Sequence, residues 1–214
     1  MSHYDDEAQV EQLKRWWSEN WQALFAGLAL GLGGIFGWQA WQNHQQQFAA
    51  RASQMYEDLK KAADASKNEE VQALGQKLIQ EYSSTPYAAQ ASLRIAQLEV
   101  EQNKLDDAAR HLAWVVEHSG DEGLRHVARV REARVLWQQK KPDDALKLLD
   151  IKQADGFESV YQELRGDIKL SQGDRAAAAD AYRKALAASV DAPAGSSSGL
   201  QQKLEDLADV KAAS

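Results

Sequence analysis

The sequence predicts an all-α chain: an N-terminal transmembrane helix, then a solenoid of helical hairpins closed by a C-terminal helix. Three observations predict it. Ala23 to Trp38 (ALFAGLALGLGGIFGW) runs for 16 residues without one strongly polar side chain, inside a charge-free gap between Glu19 and Arg51. After residue 42 there is no convincing period-2 strand, and Ala, Leu, Gln, Lys and Glu, all good helix formers, dominate. A turn-plus-helix pattern also recurs, its alanines Ala108, Ala145 and Ala178 standing 37 and 33 residues apart. Such a period marks an array of stacked helical units.

The organisation follows in order. Residues 1–20 form a tail in which Val10, Leu13, Trp16 and Trp17 recur at helical spacing between charged residues, as in a short amphipathic helix at a membrane surface. Residues 21–41 are the expected span: 21 residues rise about 31 Å, close to the roughly 30 Å hydrocarbon core of a bilayer. Five of the seven Trp (Trp16, Trp17, Trp21, Trp38, Trp41) flank it, which is where indole rings settle at the headgroup level. A cleaved signal peptide fits less well, because the preceding region is acidic and Trp38 stands where the cleavage tripeptide needs a small residue. Lys14 and Arg15 precede the span and the first cation beyond it is Arg51, so the positive-inside rule places the N-terminus in the cytoplasm and the bulk of the chain outside it. Ala23, Gly27, Gly31 and Gly34 fall on one stripe of the span. The stripe reads either as a packing face for a partner helix or as the ordinary glycine content of membrane helices.

Residues 42–190 hold the repeats. Asn103–Ala109, Lys140–Leu146 and Gly173–Ala179 align, each a turn followed by a second helix. This resembles the tetratricopeptide repeat, in which a small residue opens helix B and an aromatic follows four residues later. The last unit fits best, with Gly166, Gly173, Ala178, Tyr182 and Ala185. Ala96, Ala133 and Gly166 on helix A are expected to face small residues on helix B. Asn103 and Lys140 stand where that turn takes glycine, and Lys adopts the left-handed conformation poorly, so the third unit is expected to turn differently. Pro142 suits a first-turn position of its helix B. Upstream, Trp41 to about Ser66 reads as the first helix A, Val71–Tyr82 as its helix B, and Pro86–Gln102 as the second helix A. Residues 191–199 (DAPAGSSSG) read as a flexible linker. Residues 200–214 then carry the stripe Leu200, Leu204, Leu207 and Val210, suited to capping the solenoid.

Composition narrows the function. Asp plus Glu is 32 against 25 Lys plus Arg, a net charge of −7, which disfavours a nucleic-acid binder. The absence of Cys excludes disulfides, thiol catalysis and thiolate metal sites. No two of His3, His44, His111, His118 and His126 stand at the i, i+4 spacing of a helical metal site, and the carboxylates near His111 and His118 read as ordinary surface residues. Asp106–Asp107 and Asp143–Asp144 open helices, where the macrodipole favours negative charge. No cofactor and no catalytic constellation is expected. What remains is binding. The helix A register places Gln90, Leu93, Gln97 and Val100 on the concave face, with Val127, Val130, Arg134 and Trp137 in the next unit and Val160, Glu163, Asp167 and Leu170 in the last. This mix suits loosely held, unfolded polypeptide. Trp137 is either an interface anchor or a core residue between helix layers.

Taken together the chain resembles the YfgM family of ancillary SecYEG translocon subunits. The resemblance is carried by Lys14-Arg15-Trp16-Trp17-Ser18-Glu19-Asn20, by Gly37-Trp38 with Trp41, by Leu164-Arg165-Gly166-Asp167 with Gly173-Asp174, and by the closing helix Gln201–Val210. It implies a single-pass inner-membrane protein with a periplasmic repeat domain. It further implies association with the translocon and with the membrane-anchored chaperone PpiD, handing nascent secreted polypeptides to periplasmic chaperones, and a link of the tail to the regulator RcsB. Two other readings stand beside it: a structural scaffold for an envelope complex, and a stress-response regulator acting through the tail.

Overall fold

The computed structural model describes residues 3–151, 154, 156–189 and 196–212, and among these every element is helical. The helices are α1 (His3–Asp64), α2 (Asn68–Glu81), α3 (Pro86–Glu101), α4 (Leu105–His118), α5 (Glu122–Gln138), α6 (Pro142–Leu148), α7 (Glu158–Ser171), α8 (Arg175–Ala188) and α9 (Ser196–Ala212). The chain divides into two compact units, Met1–Arg51 and Ala52–Ser214.

In the first unit the tail and the apolar run are one helix. No single helix among the described residues is long and apolar enough to cross a membrane; Leu13–Gln22 and the helix from Phe25, bent by 48°, pass by length and composition together. The expected span Trp21–Trp41 is thus bent near its start. Trp21 and Phe25 meet edge to face across the bend, ring centroids 6.0 Å apart, and Trp38 and Trp41 pack at 5.1 Å at the other end. Thirteen of the fifteen large apolar side chains that stand exposed among the described residues lie between Val10 and Trp41. A surface of that kind needs apolar cover from outside the chain.

The second unit is built from four helical hairpins and a closing helix. Three of the B helices bury one stripe each: Val71, Gly75 and Leu78 on α2; Ala108, Leu112 and Val115 on α4; Ala178, Ala181, Tyr182 and Ala185 on α8; the short α6 buries Ala145. The A helix α3 instead buries nine residues around its circumference, from Ala88 to Glu99, because it lies between neighbours. Pro86 and Pro142 both sit in the first turn of their helices, where the missing N–H costs nothing. Asp121 and Asp174 cap α5 and α8 by accepting from the backbone N–H of Leu124 (2.9 Å) and Ala177 (3.0 Å).

The four turns from helix A to helix B are the same turn. Ser66, Asn103, Lys140 and Gly173 all have positive φ (56°, 58°, 64° and 83°). Behind each, the next residue's N–H reaches back five residues, Lys67 to Ala62, Lys104 to Glu99, Lys141 to Leu136 and Asp174 to Lys169. This is the Schellman arrangement that satisfies the last carbonyls of a helix. The expectation that Lys140 would turn differently is therefore corrected. The left-handed conformation costs a non-glycine residue roughly 1–2 kcal/mol, less than the packing of Ala133, Ala145 and Leu149 into one core returns.

Across each hairpin the side-chain sizes are reciprocal. Seven residues before the turn residue and nine after it stand Leu59 and Gly75, Ala96 and Leu112, Ala133 and Leu149, Gly166 and Tyr182. A Cβ on Gly166 would lie against Tyr182 Cε1 and 2.6 Å from its Cδ1, and a Cβ on Gly75 would lie 2.6 Å from Ile95 Cδ1 and 3.3 Å from Leu59 Cδ1. In the last three hairpins a small helix A residue makes room for a large residue of helix B, and in the first the sizes are exchanged, which refines the expectation that small would face small.

One further helix is short, and one boundary differs from that expected. Helix α6 stops after seven residues, and Ala154 and Phe157 then join the core of that unit. The long connection after α6 makes up almost all of the lost length, and the last spacing is 33 instead of 37 mainly because α7 has 14 residues where α5 has 17. Helix α9 starts at Ser196, inside the stretch read as linker; 190–195 lie outside the described residues. Leu200, Leu204 and Leu207 pack with Ala178, Tyr182 and Ala185, as a capping helix should; the side chain of Val210 lies outside the described residues.

Candidate protein-binding groove

Helices α3 and α5 are successive inner helices, and α4 passes behind them. Between them lies a cleft of about 370 Å³, within the size range of ligand-binding pockets. Its apolar lining comes from Leu93, Ala96 and Val100 on α3, Leu112 on α4 and Val135 on α5. Its polar lining is Gln97 on α3 and Arg131, Arg134 and Gln138 on α5. The Gln97 amide is held in a chain: Arg94 donates to its oxygen (2.9 Å) and its nitrogen donates to Glu101 (3.0 Å). Arg131 and Arg134 are exposed.

Of the concave-face candidates, Leu93, Gln97, Val100 and Arg134 come together here. The other eight do not line it. Val130 is 4% exposed and belongs to the core. Trp137 packs on that same core and donates its indole N–H to Ser171 Oγ on α7 (3.0 Å). Glu163 and Asp167 face α9: Lys203 Nζ lies 2.7 Å from a carboxylate oxygen of each. Asp167 also accepts from the Tyr182 hydroxyl (2.8 Å). Burial, helped by the Asp167 carboxylate, raises the Tyr182 hydroxyl above the usual tyrosine range. Burial would lower Lys203, but Asp167 and Glu163 outweigh it and raise the ammonium.

Arg131 and Gln138 escaped the register argument. The signal was present, since Arg131, Arg134 and Gln138 stand at i, i+3 and i+7 on one face of α5. Two buried polar clusters were also missed. Glu99, 4% exposed, accepts from His111 Nδ1 (2.8 Å), so this carboxylate is no ordinary surface residue. His126 is hydrogen-bonded to the Tyr161 hydroxyl (2.9 Å) and stacks on Phe157. Glu132 on α5 is pushed up to about 7 by burial and by Glu117, with Arg129 opposing. Among the described residues no group of three or more His, Asp or Glu could hold a metal ion. In the N-terminal unit a Cβ added at Gly27, Gly31 or Gly34 would meet nothing within 4 Å. That stripe is bare helix backbone; the side chain of Ala23 lies outside the described residues.

A tetratricopeptide repeat-like domain model matches residues 14–209. The chain is 37% identical over 208 residues to the ancillary SecYEG translocon subunit of Escherichia coli K12, covering 97% of this chain and 99% of that protein. The chain belongs to the YfgM family. Proteins of the same name from Haemophilus influenzae (32% identical, 85% of this chain and 88% of that one) and Neisseria gonorrhoeae (31%, 86% and 89%) are similar too. The family match runs from within the apolar N-terminal helix through the four hairpins and into α9.

Proposed function

We propose that this protein is an inner-membrane adaptor of the SecYEG translocon that binds emerging polypeptides and passes them to periplasmic chaperones, the membrane-anchored PpiD among them. The observation that carries the reading is the 37% identity, along 97% of the chain, to a protein named for its place at the translocon. In this reading the helix crosses the bilayer over Trp21–Trp41, with the N-terminus cytoplasmic and the hairpins periplasmic. The crowding of exposed apolar side chains between Val10 and Trp41 supports it. So do the cations Lys14 and Arg15 on the tail side of the span. The stripe Gly27, Gly31 and Gly34 is the face that packs on a neighbouring membrane helix. The cleft between α3 and α5 supports a binding role, since its floor is apolar and its rim polar.

Site-specific photo-crosslinking in intact cells tests this. A probe at Gly31 should yield adducts with a translocon subunit or PpiD, and a probe at Gln97 adducts with secreted polypeptides in transit. A single discrete adduct from Gln97, together with none to the translocon from Gly31, would replace the adaptor by a scaffold of an envelope complex.

A further inference from the structure

The last hairpin is closed by α9, which covers on α8 the positions that α5 covers on α4, and the charge it meets there contrasts with the open cleft between α3 and α5. Counting back from the turn residues, Glu163, Val130 and Leu93 are equivalent, and so are Asp167, Arg134 and Gln97. In the last unit the two carboxylates are engaged by a helix: Lys203 of α9 lies 2.7 Å from each, over the Tyr182 ring at 5.4 Å, while Leu200 and Leu204 cover the apolar surface beside them. One unit earlier the corresponding charge is reversed. Arg134, with Arg131 one turn away, edges the cleft, and neither guanidinium has a hydrogen bond or ion pair among the described residues. Beneath them the floor is Leu93, Val100, Leu112 and Val135.

We infer that the cleft between α3 and α5 binds an amphipathic helical segment of a partner protein that presents carboxylates beside an apolar stripe. Its apolar side chains enter the cleft, and its carboxylates pair with Arg131 and Arg134. A guanidinium fork suits a carboxylate bidentately, and the bonds are charge-assisted. The preference runs against the whole-chain charge of −7, which by itself would attract a basic segment. This inference rests on the adaptor reading and names the chemistry of its binding surface.

The test uses the full chain in nanodiscs and three labelled synthetic amphipathic peptides with leucines at i, i+3, i+4 and i+7, flanked by Glu, Gln or Lys. Fluorescence anisotropy should show the Glu peptide binding at least about tenfold more tightly than the Gln peptide, and the Lys peptide most weakly. Arg131→Gln with Arg134→Gln should abolish the difference between Glu and Gln peptides, and added salt should shrink it. Arg183→Gln, on the exposed face of α8, should leave it intact. Equal binding of all three peptides, a preference for the Lys peptide, no binding of any, or an unchanged preference in the double variant would overturn the inference. Translocon adducts from Gly31 that persist in the double variant would leave the adaptor reading standing whichever way the peptides behave.

Discussion

Glycine 166 and tyrosine 182 illustrate how one residue type specifies another across a hairpin. The ring of Tyr182 occupies the volume that a Cβ on Gly166 would need, and the hydroxyl is tethered to Asp167. Gly166→Ala should therefore destabilise the folded chain by about 1–3 kcal/mol through overpacking. Adding Tyr182→Leu should recover part of that loss, because the last hairpin then has the Ala/Leu pairing of the two before it. Denaturant unfolding of the single and double variants checks both. Glu132 offers a second residue-scale outcome. Its carboxyl is raised from 4.5 to about 7 by burial and by Glu117, so the folded state holds a proton that the unfolded state has released. The stabilisation is full below the unfolded value and is lost as pH rises through the folded one. Stability should fall between about pH 4.5 and about pH 7 on this account. Glu132→Gln should flatten that slope, as thermal unfolding across the range would reveal. Glu99 shows why such residues are hard to read in advance: it looks like one more helix carboxylate until α4 brings His111 to 2.8 Å.

At the scale of elements, starts were easier to read than turns and ends. Pro86 and Pro142 mark the first turns of α3 and α6 by the chemistry of proline itself. The end of α6 has no such marker: the helix stops because Leu149, Ala154 and Phe157 find the core by another path. Lys140 takes a glycine's conformation because both flanking helices are anchored in one core. Helix α9 carries its own prediction. Its stripe was legible in Leu200, Leu204 and Leu207, yet its attachment depends on Lys203 reaching two carboxylates on α7. Lys203→Gln should speed amide exchange throughout α9 while leaving α7 and α8 near their original protection. Hydrogen-exchange mass spectrometry reads this directly. Equal loosening of α7 would mean that the helix holds the last hairpin together instead of resting on it.

For the whole molecule, the groove is the feature that sequence reasoning reached only in part. Leu93, Gln97, Val100 and Arg134 were placed by counting along helix A, and they do share one cleft. The same count put Val130 on that face, where the structure buries it, because the register of one helix says nothing of how closely the next packs. The sequence by itself determined the all-helical class, the apolar N-terminal helix, the recurring turn-plus-helix pattern at Asn103, Lys140 and Gly173, and the YfgM resemblance. All of these rest on local chemistry: propensity, periodicity, proline and glycine geometry. Only the tertiary structure decided which concave positions remain open and which are filled. It also paired Glu99 with His111, set Arg131 beside the apolar floor and brought Lys203 to Asp167. These pairings join residues from separate helices, and only packing decides which side chains of one helix meet those of another.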